Sequence, residues 1–315
     1  MGYISKLMIL LFVEGELLMR VGIPKGLLYY KYYPFIESFF MELGAEIITS
    51  TDTNKDILDL GVKYCVDEAC LPVKVFHGHV AYLKDKCDII FIPRIMELDK
   101  KEFICPKFCG LPEMVLNSIP DMPRAIISPI YASSEKRLKS WARNVGVLFT
   151  KNFLKIDKAY KISLRRQEEY KCSIKNENFN LNVALVGHPY NIYDNFTNMD
   201  VVKKLNKLGI GIISEENIEA DIINNQIKDL FKRPFWTFAK KSYGFSTYLA
   251  ENKKIDGIVY ISSFACGIDS VVIELIKNRL GDFPILILKI DEHTGEAGFD
   301  TRLEAFADML ERRCS

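Results

Sequence analysis

The sequence predicts an α/β fold in which two doubly wound, mostly parallel sheets face a shared cleft. Three observations carry the prediction. Short β-branched runs alternate with amphipathic stretches of helical length. The alternation pauses in a polar stretch at 172–180 and then restarts. Residues of unusual chemistry follow the predicted strands directly, where open parallel sheets bind their ligands. The expected organisation is an N-terminal extension at 1–18, a first Rossmann-like unit at 19–172 and a second at 173–315.

In chain order, 20–24 reads as a short strand ending in a Pro-Lys-Gly turn. An amphipathic helix at 32–43 follows, stopped by Gly44 as its C-terminal cap. The β-branched run 45–49 is a buried strand. Strand, helix and strand at this spacing form a parallel βαβ unit with a right-handed crossover. A second helix is expected at 54–61, strands at 87–93 and 124–129, and helical structure throughout 135–171. In the second unit, 181–187 is a buried strand and His188-Pro189-Tyr190 its turn. A helix at 199–208 leads through Gly209 to a strand at 210–214. Further strands are expected at 256–261 and 284–290. Asp269 reads as the cap of a helix at 270–277.

With 315 residues, 49% hydrophobic and 26% charged, the chain has the profile of a globular protein of two ordinary domains. A formal net charge of +1 steers it toward neither nucleic acid nor an anionic membrane. The pairs Lys240-Lys241 and Lys253-Lys254 read as solvated helix ends. The apolar run at 7–13 is too short to span a bilayer, and Glu14 and Glu16 follow it instead of a small-residue cleavage site. The stretch 14–19 reads as a translated ribosome-binding site, with Met19 as the natural start. N-terminal sequencing that returned Met1 would overturn this. The expected location is the cytoplasm, a reducing compartment where cysteines read as metal ligands or buried thiols.

Eight cysteines are present. Cys87 opens a strand and reads as a small buried thiol. Cys65, Cys172 and Cys314 lack supporting context and read as structural. Cys70, Cys105, Cys109 and Cys266 lie in loops rich in Pro and Gly, at what read as strand ends. Thiolates in such loops suit an iron–sulfur cluster or zinc. Structural zinc favours two local Cys pairs, whereas only Cys105 and Cys109 are close in sequence here. A cluster is the first reading; zinc and unligated thiols stay open.

Four phrases carry a resemblance. They are RVGIPKGLLYY at 20–30, VDEACLPVKVFHGH at 66–79, ICPKFCGLP at 104–112 and DEHTGEAGFDTRLEAF at 291–306. Together they resemble the 2-hydroxyacyl-CoA dehydratase D-component-related family, also described as CoA-protein activase. The resemblance implies two Rossmann-like units around a 4Fe–4S cluster with ligands at Cys70, Cys105 and Cys266. Cys109 is either the fourth ligand or stays unligated. It also implies low-potential, anaerobic electron transfer in a dehydratase- or reductase-type component. No glycine-rich phosphate loop is present, so a separate ATP-dependent activase would supply the electrons. An acyl-CoA is the implied class of substrate, and a dimer is allowed. Whether the chain is an enzyme, an electron carrier or a scaffold for a partner enzyme stays open, as does a structural zinc protein.

Among other polar residues, His188, His293 and Glu296 are the catalytic candidates, with satisfied loop hydrogen bonding as the alternative. His77 and His79 are two apart and cannot share a helix face. Asp67 and Glu68 read as helix caps. Lys25, Arg94 and Lys107 are placed to offset a cluster's negative charge or to meet an acyl-CoA phosphate, with surface solvation as the alternative.

Overall fold

Parallel pairing organises both halves of the chain. The structure is a computed structural model that describes residues 18–176 and 178–314. The expected extension lies outside the described residues except for Leu18, and so does the side chain of Cys314.

The first half runs β1 (Arg20–Ile23), α1 (Tyr29–Leu43), β2 (Glu46–Thr49), α2 (Lys55–Tyr64), α3 (Leu71–Leu83), β3 (Ile89–Phe91), β4 (Arg94–Glu97), α4 (Lys107–Ser118), β5 (Arg124–Ile126), β6 (Pro129–Tyr131), α5 (Glu135–Gly146) and α6 (Phe153–Glu169). Strands β2-β1-β3-β5 form a four-stranded sheet, parallel throughout. The second half runs β7 (Lys175–Asn176), β8 (Leu181–Gly187), α7 (Pro189–Ile192), α8 (Val201–Lys207), β9 (Ile210–Ser214), α9 (Ala220–Gln226), α10 (Thr237–Glu251), β10 (Gly257–Ser263), α11 (Gly267–Leu280), β11 (Ile285–Ile290) and α12 (Glu296–Cys314). Its sheet has the order β11-β10-β8-β9-β7, and within it only the two-residue β7 is antiparallel.

Several expected elements are present with shifted bounds, and the deviations have local causes. The strand expected at 124–129 is two strands, because Pro129 has no N–H and opens a new strand instead of extending a ladder. That strand, β6, pairs with β4 in a separate parallel ribbon that the sequence reading lacked. The helical stretch 135–171 is two helices, the second capped by Asn152, whose side chain accepts from the N–H groups of Leu154 and Lys155. His188 to Tyr190 is not a plain turn but the start of α7, whose first residue is Pro189.

Helix α1 contains Pro34, which deprives the Tyr30 carbonyl of its helical donor. Helix α6 repairs the gap. The Tyr170 hydroxyl donates to Tyr30 O at 3.1 Å, and Gln167 Nε2 donates to Lys31 O at 2.9 Å. Phe35, Phe39, Phe40, Phe91 and Trp141 fill the core beneath. The halves also share apolar packing. Ile57, Leu58, Leu71 and Val75 of α2 and α3 lie in the cluster that covers the second sheet, and Phe238 lies in one built on the first.

Candidate metal centre

Cys70 owes its position to two glycines. Helices α2 and α3 cross so closely that a Cβ on Gly78 would sit 1.9 Å from Ile57 O, and one on Gly61 would sit 2.1 Å from Lys74 O. The turn joining these helices ends at Cys70, the N-cap residue of α3. Asp67 and Glu68 are exposed in that turn and Cys70 holds the cap position, so they do not cap α3 as expected.

Cys105 is held by a strand-like seam between the halves. Phe103 N donates to Phe235 O at 2.7 Å, and Thr237 N donates to Phe103 O at 2.9 Å. Two residues after Cys105, α4 begins. Cys266 follows β10 and is the N-cap residue of α11. Ala265 just before it has φ 60°, a left-handed conformation that costs a non-glycine residue about 1 kcal/mol or more. Such strain is found where a structure must aim a particular side chain.

The sequence reading placed the cysteines at strand ends. Only Cys266 directly follows a strand. Instead, Cys70, Cys105 and Cys266 stand at the starts of three helices of 13, 12 and 14 residues. Each helix start offers unpaired N–H groups and the positive end of a dipole, which favour anionic sulfur. Asp269 is likewise not the expected cap, because α11 starts at Gly267 and buries Asp269 in its first turn.

Tyr190 lies beside Cys70 and Cys105. Removal from water raises the Tyr190 hydroxyl well above its usual pKa, and the charges of Cys70, Asp269, Cys105 and Cys266 raise it further. Cys70 and Cys105 line a small cavity with Tyr190, Lys107, Phe108 and Leu27. Lys107 Nζ lies 3.5 Å from Cys70 Sγ, so this cation faces the sulfur as expected. The Tyr190 ring stacks on His188 with centroids 5.1 Å apart and planes at 10°. His188 Nδ1 lies 3.3 Å from Asp269 Oδ1, which also accepts from the Tyr260 hydroxyl at 2.9 Å.

Burial raises the Cys105 thiol, and it raises Cys266 to about 12 together with the Asp269 carboxylate. A cation replacing these protons would remove the reason for both shifts. His188 loses basicity through burial but gains more from Asp269, so its net shift is upward.

The other candidates have the following surroundings. Cys109 lies in the first turn of α4, where its carbonyl accepts from Arg94 Nη1 at 3.2 Å. Arg94 also pairs with Glu113, and Lys25 pairs with the exposed Asp52. His77 Nδ1 meets Val73 O at 2.8 Å, and His79 Nε2 meets Thr53 Oγ1 at 3.0 Å. His293 projects into solvent, and Glu296 pairs with Lys204. Of the three catalytic candidates, the structure brings only His188 to the cysteines. Lys240 is not a solvated helix end: it is buried against Glu102 at 2.6 Å. Lys74, with 2% of its side chain exposed, pairs with Glu292 across the halves.

That last pair makes a pH-dependent prediction. Burial raises the Glu292 carboxyl, but Lys74 outweighs this and the net shift is downward. The pair therefore contributes stability above the unfolded pKa of about 4.3 and loses it as pH falls through the lower folded value. Glu292→Gln leaves the Lys74 charge buried without its counterion, with an expected cost of about 3 kcal/mol at pH 7. The loss should shrink toward pH 3, as read by urea unfolding at both pH values.

A family described as the CoA enzyme activase uncharacterised domain matches residues 20–218. This chain belongs to that family. The matched span of this CoA enzyme activase domain protein includes Cys70, Cys105, Cys109 and Tyr190, while Cys266 lies beyond it. No curated protein matches. One solved structure, an S38A mutant of a Mn-bound periplasmic metal-binding protein from candidatus liberibacter asiaticus, is 10% identical. The alignment covers 93% of this chain and 99% of that one with a TM-score of 0.25, too low to support an argument. Among the described residues, no helix is long and apolar enough to cross a membrane.

Proposed function

We propose that this chain is an iron–sulfur protein in which Cys70, Cys105 and Cys266 hold a 4Fe–4S cluster. The observation that supports this most is geometric: Cys70 and Cys105 line one cavity with Tyr190, whose ring stacks on His188, and a His188 ring nitrogen lies within 4.8 Å of the Cys266 sulfur from the other half. The donor set fits the group, since each sulfur starts a helix and Lys107 adds a cation. Bound there, a cluster would supply one-electron chemistry at low potential. The chain's own residues have definable tasks around it. The helix N-termini and Lys107 offset negative charge, Tyr190 and Phe108 exclude water, and Asp269 fixes the orientation of His188. His188 is the group placed to hold a proton beside the cysteines.

The finer reading relates the chain to 2-hydroxyacyl-CoA dehydratase components. In it, a separate ATP-dependent activase delivers electrons, and the chain passes them to a substrate or a partner enzyme. Cys109 decides between catalyst and carrier, because a fourth thiolate would close the iron to substrate. Anaerobic purification with iron and sulfide analysis, followed by EPR of the reduced protein, tests the proposal. About four irons and four sulfides per chain are expected, and iron-free protein after anaerobic reconstitution would overturn it.

A second reading has its own observation. One ligand atom from each of His188, Cys266 and Asp269 lies within 4.8 Å of the other two, a mixed N, S and O set suited to zinc. A single zinc per chain, without sulfide, would favour this reading. His188→Ala would then release the metal, whereas a cluster on the three cysteines should survive that change.

A further inference from the structure

We propose that a basic, aromatic surface at the junction of the two halves attaches this protein to an anionic lipid bilayer. The inference is independent of the cluster.

The surface grows out of the seam between the halves. An isolated parallel bridge pairs Phe103 with Trp236 and so joins the segments 100–103 and 228–236. Their rings gather there. Phe103 lies 6.3 Å from Phe235 and 6.4 Å from Trp236, and Phe235 lies 4.9 Å from Trp236, centroid to centroid. Much of this apolar area faces water. Phe103 is 56% exposed, Phe235 is 41% exposed, and Phe231 in the same segment is exposed completely. Three large aromatic side chains left in solvent along one short seam mark an interaction surface.

Cations flank these rings. Lys100, Lys101, Lys228, Lys232 and Arg233 are all exposed, and Lys232 Nζ lies 5.5 Å from the Phe235 ring centroid. The acids of the same two segments are engaged. Glu102 is buried and pairs with Lys240 and Arg233, and Asp229 lies 3.7 Å from Arg279. The four lysines have no ion pair among the described residues. A net charge of +1 for the whole chain hides this local excess.

The composition favours a bilayer over a protein partner. Protein interfaces are depleted in lysine and enriched in arginine, whereas lysine outnumbers arginine four to one here. Anchors that lie in a membrane interface combine Lys and Arg with Trp, Phe and Leu. The protruding Phe231 needs no shaped pocket among lipid headgroups. Each lysine near an anionic bilayer should add about fivefold to the affinity. Such attachment is peripheral and needs no spanning helix.

Flotation of the full-length protein with lipid vesicles tests this. Vesicles with about 30% phosphatidylserine should bind it about a hundredfold more tightly than pure phosphatidylcholine. Raising salt to about 0.5 M should release it. Brominated acyl chains should quench the half-buried Trp236 and spare Trp141, which is buried in the core. Lys228→Gln/Lys232→Gln should weaken binding about 25-fold, and Phe231→Ser about tenfold or more. Both should keep the wild-type unfolding midpoint, because these side chains are exposed. Should the variants fail to fold, the lipid, salt and quenching results on wild type decide alone. The proposal is overturned if anionic vesicles do not bind, which would leave the surface to an acidic protein. It is equally overturned if neutral vesicles bind as well, if salt or brominated chains have no effect, or if either folded variant binds as wild type does.

Discussion

Cys105→Ser, purified and reconstituted without oxygen, is expected to lose the broad visible absorption of the wild-type protein and nearly all its bound iron. Serine keeps the shape but offers a hard oxygen of high pKa where a soft thiolate is needed. The seam from Phe103 to Phe235 and Thr237 fixes the Cys105 backbone against the second half. Cys87→Ala is the matched control. That thiol is buried at the edge of β3 and donates to Leu83 O at 3.3 Å, so the change should cost stability but leave the colour. Equal loss in both variants would remove the ligand assignment. Cys109→Ala separates catalyst from carrier. If it retains about four irons, Cys109 is no ligand and an added hydroxyacyl-CoA should perturb the EPR signal. Iron lost from this variant would favour the carrier.

The second large effect is expected at a residue with no chemistry. Gly78→Ala adds one methyl group where the available space is 1.9 Å from a backbone oxygen. Backbone cannot swing aside as a side chain does, so α2 and α3 must separate. A loss of about 3 kcal/mol or more is expected from denaturant unfolding, with reduced iron content because Cys70 ends the turn between these helices. Gly110→Ala in α4 gives the contrast. A Cβ there meets nothing within 4 Å, so the same change should be neutral or stabilise by about 0.5 kcal/mol. Two variants of equal stability would mean that the helices do not cross as closely as described.

Both experiments probe features that the sequence revealed unequally. The 181–187 strand and the Gly44 stop of α1 were legible because each depends on a few adjacent residues. The α/β class was legible for the same reason, since the two periodicities are local properties of the chain. The candidate cysteines stood out by their Pro and Gly neighbours, which do not separate Cys109 from the other three.

Other features depend on partners far away in sequence, and no local pattern announces them. Lys240 looked like a solvated helix end until Glu102, 138 residues earlier, proved to be its buried partner. Asp269 looked like a cap until α11 was seen to start two residues earlier and turn that carboxylate toward His188 and Tyr260. The sequence by itself determined the fold class, most of the strands and the set of thiols to consider. Only the tertiary structure decided that Cys70 and Cys105 line one cavity with Tyr190, that Cys266 lies beside His188 and Asp269, and that all three cysteines stand at helix starts, because burial and long-range convergence arise from packing between segments.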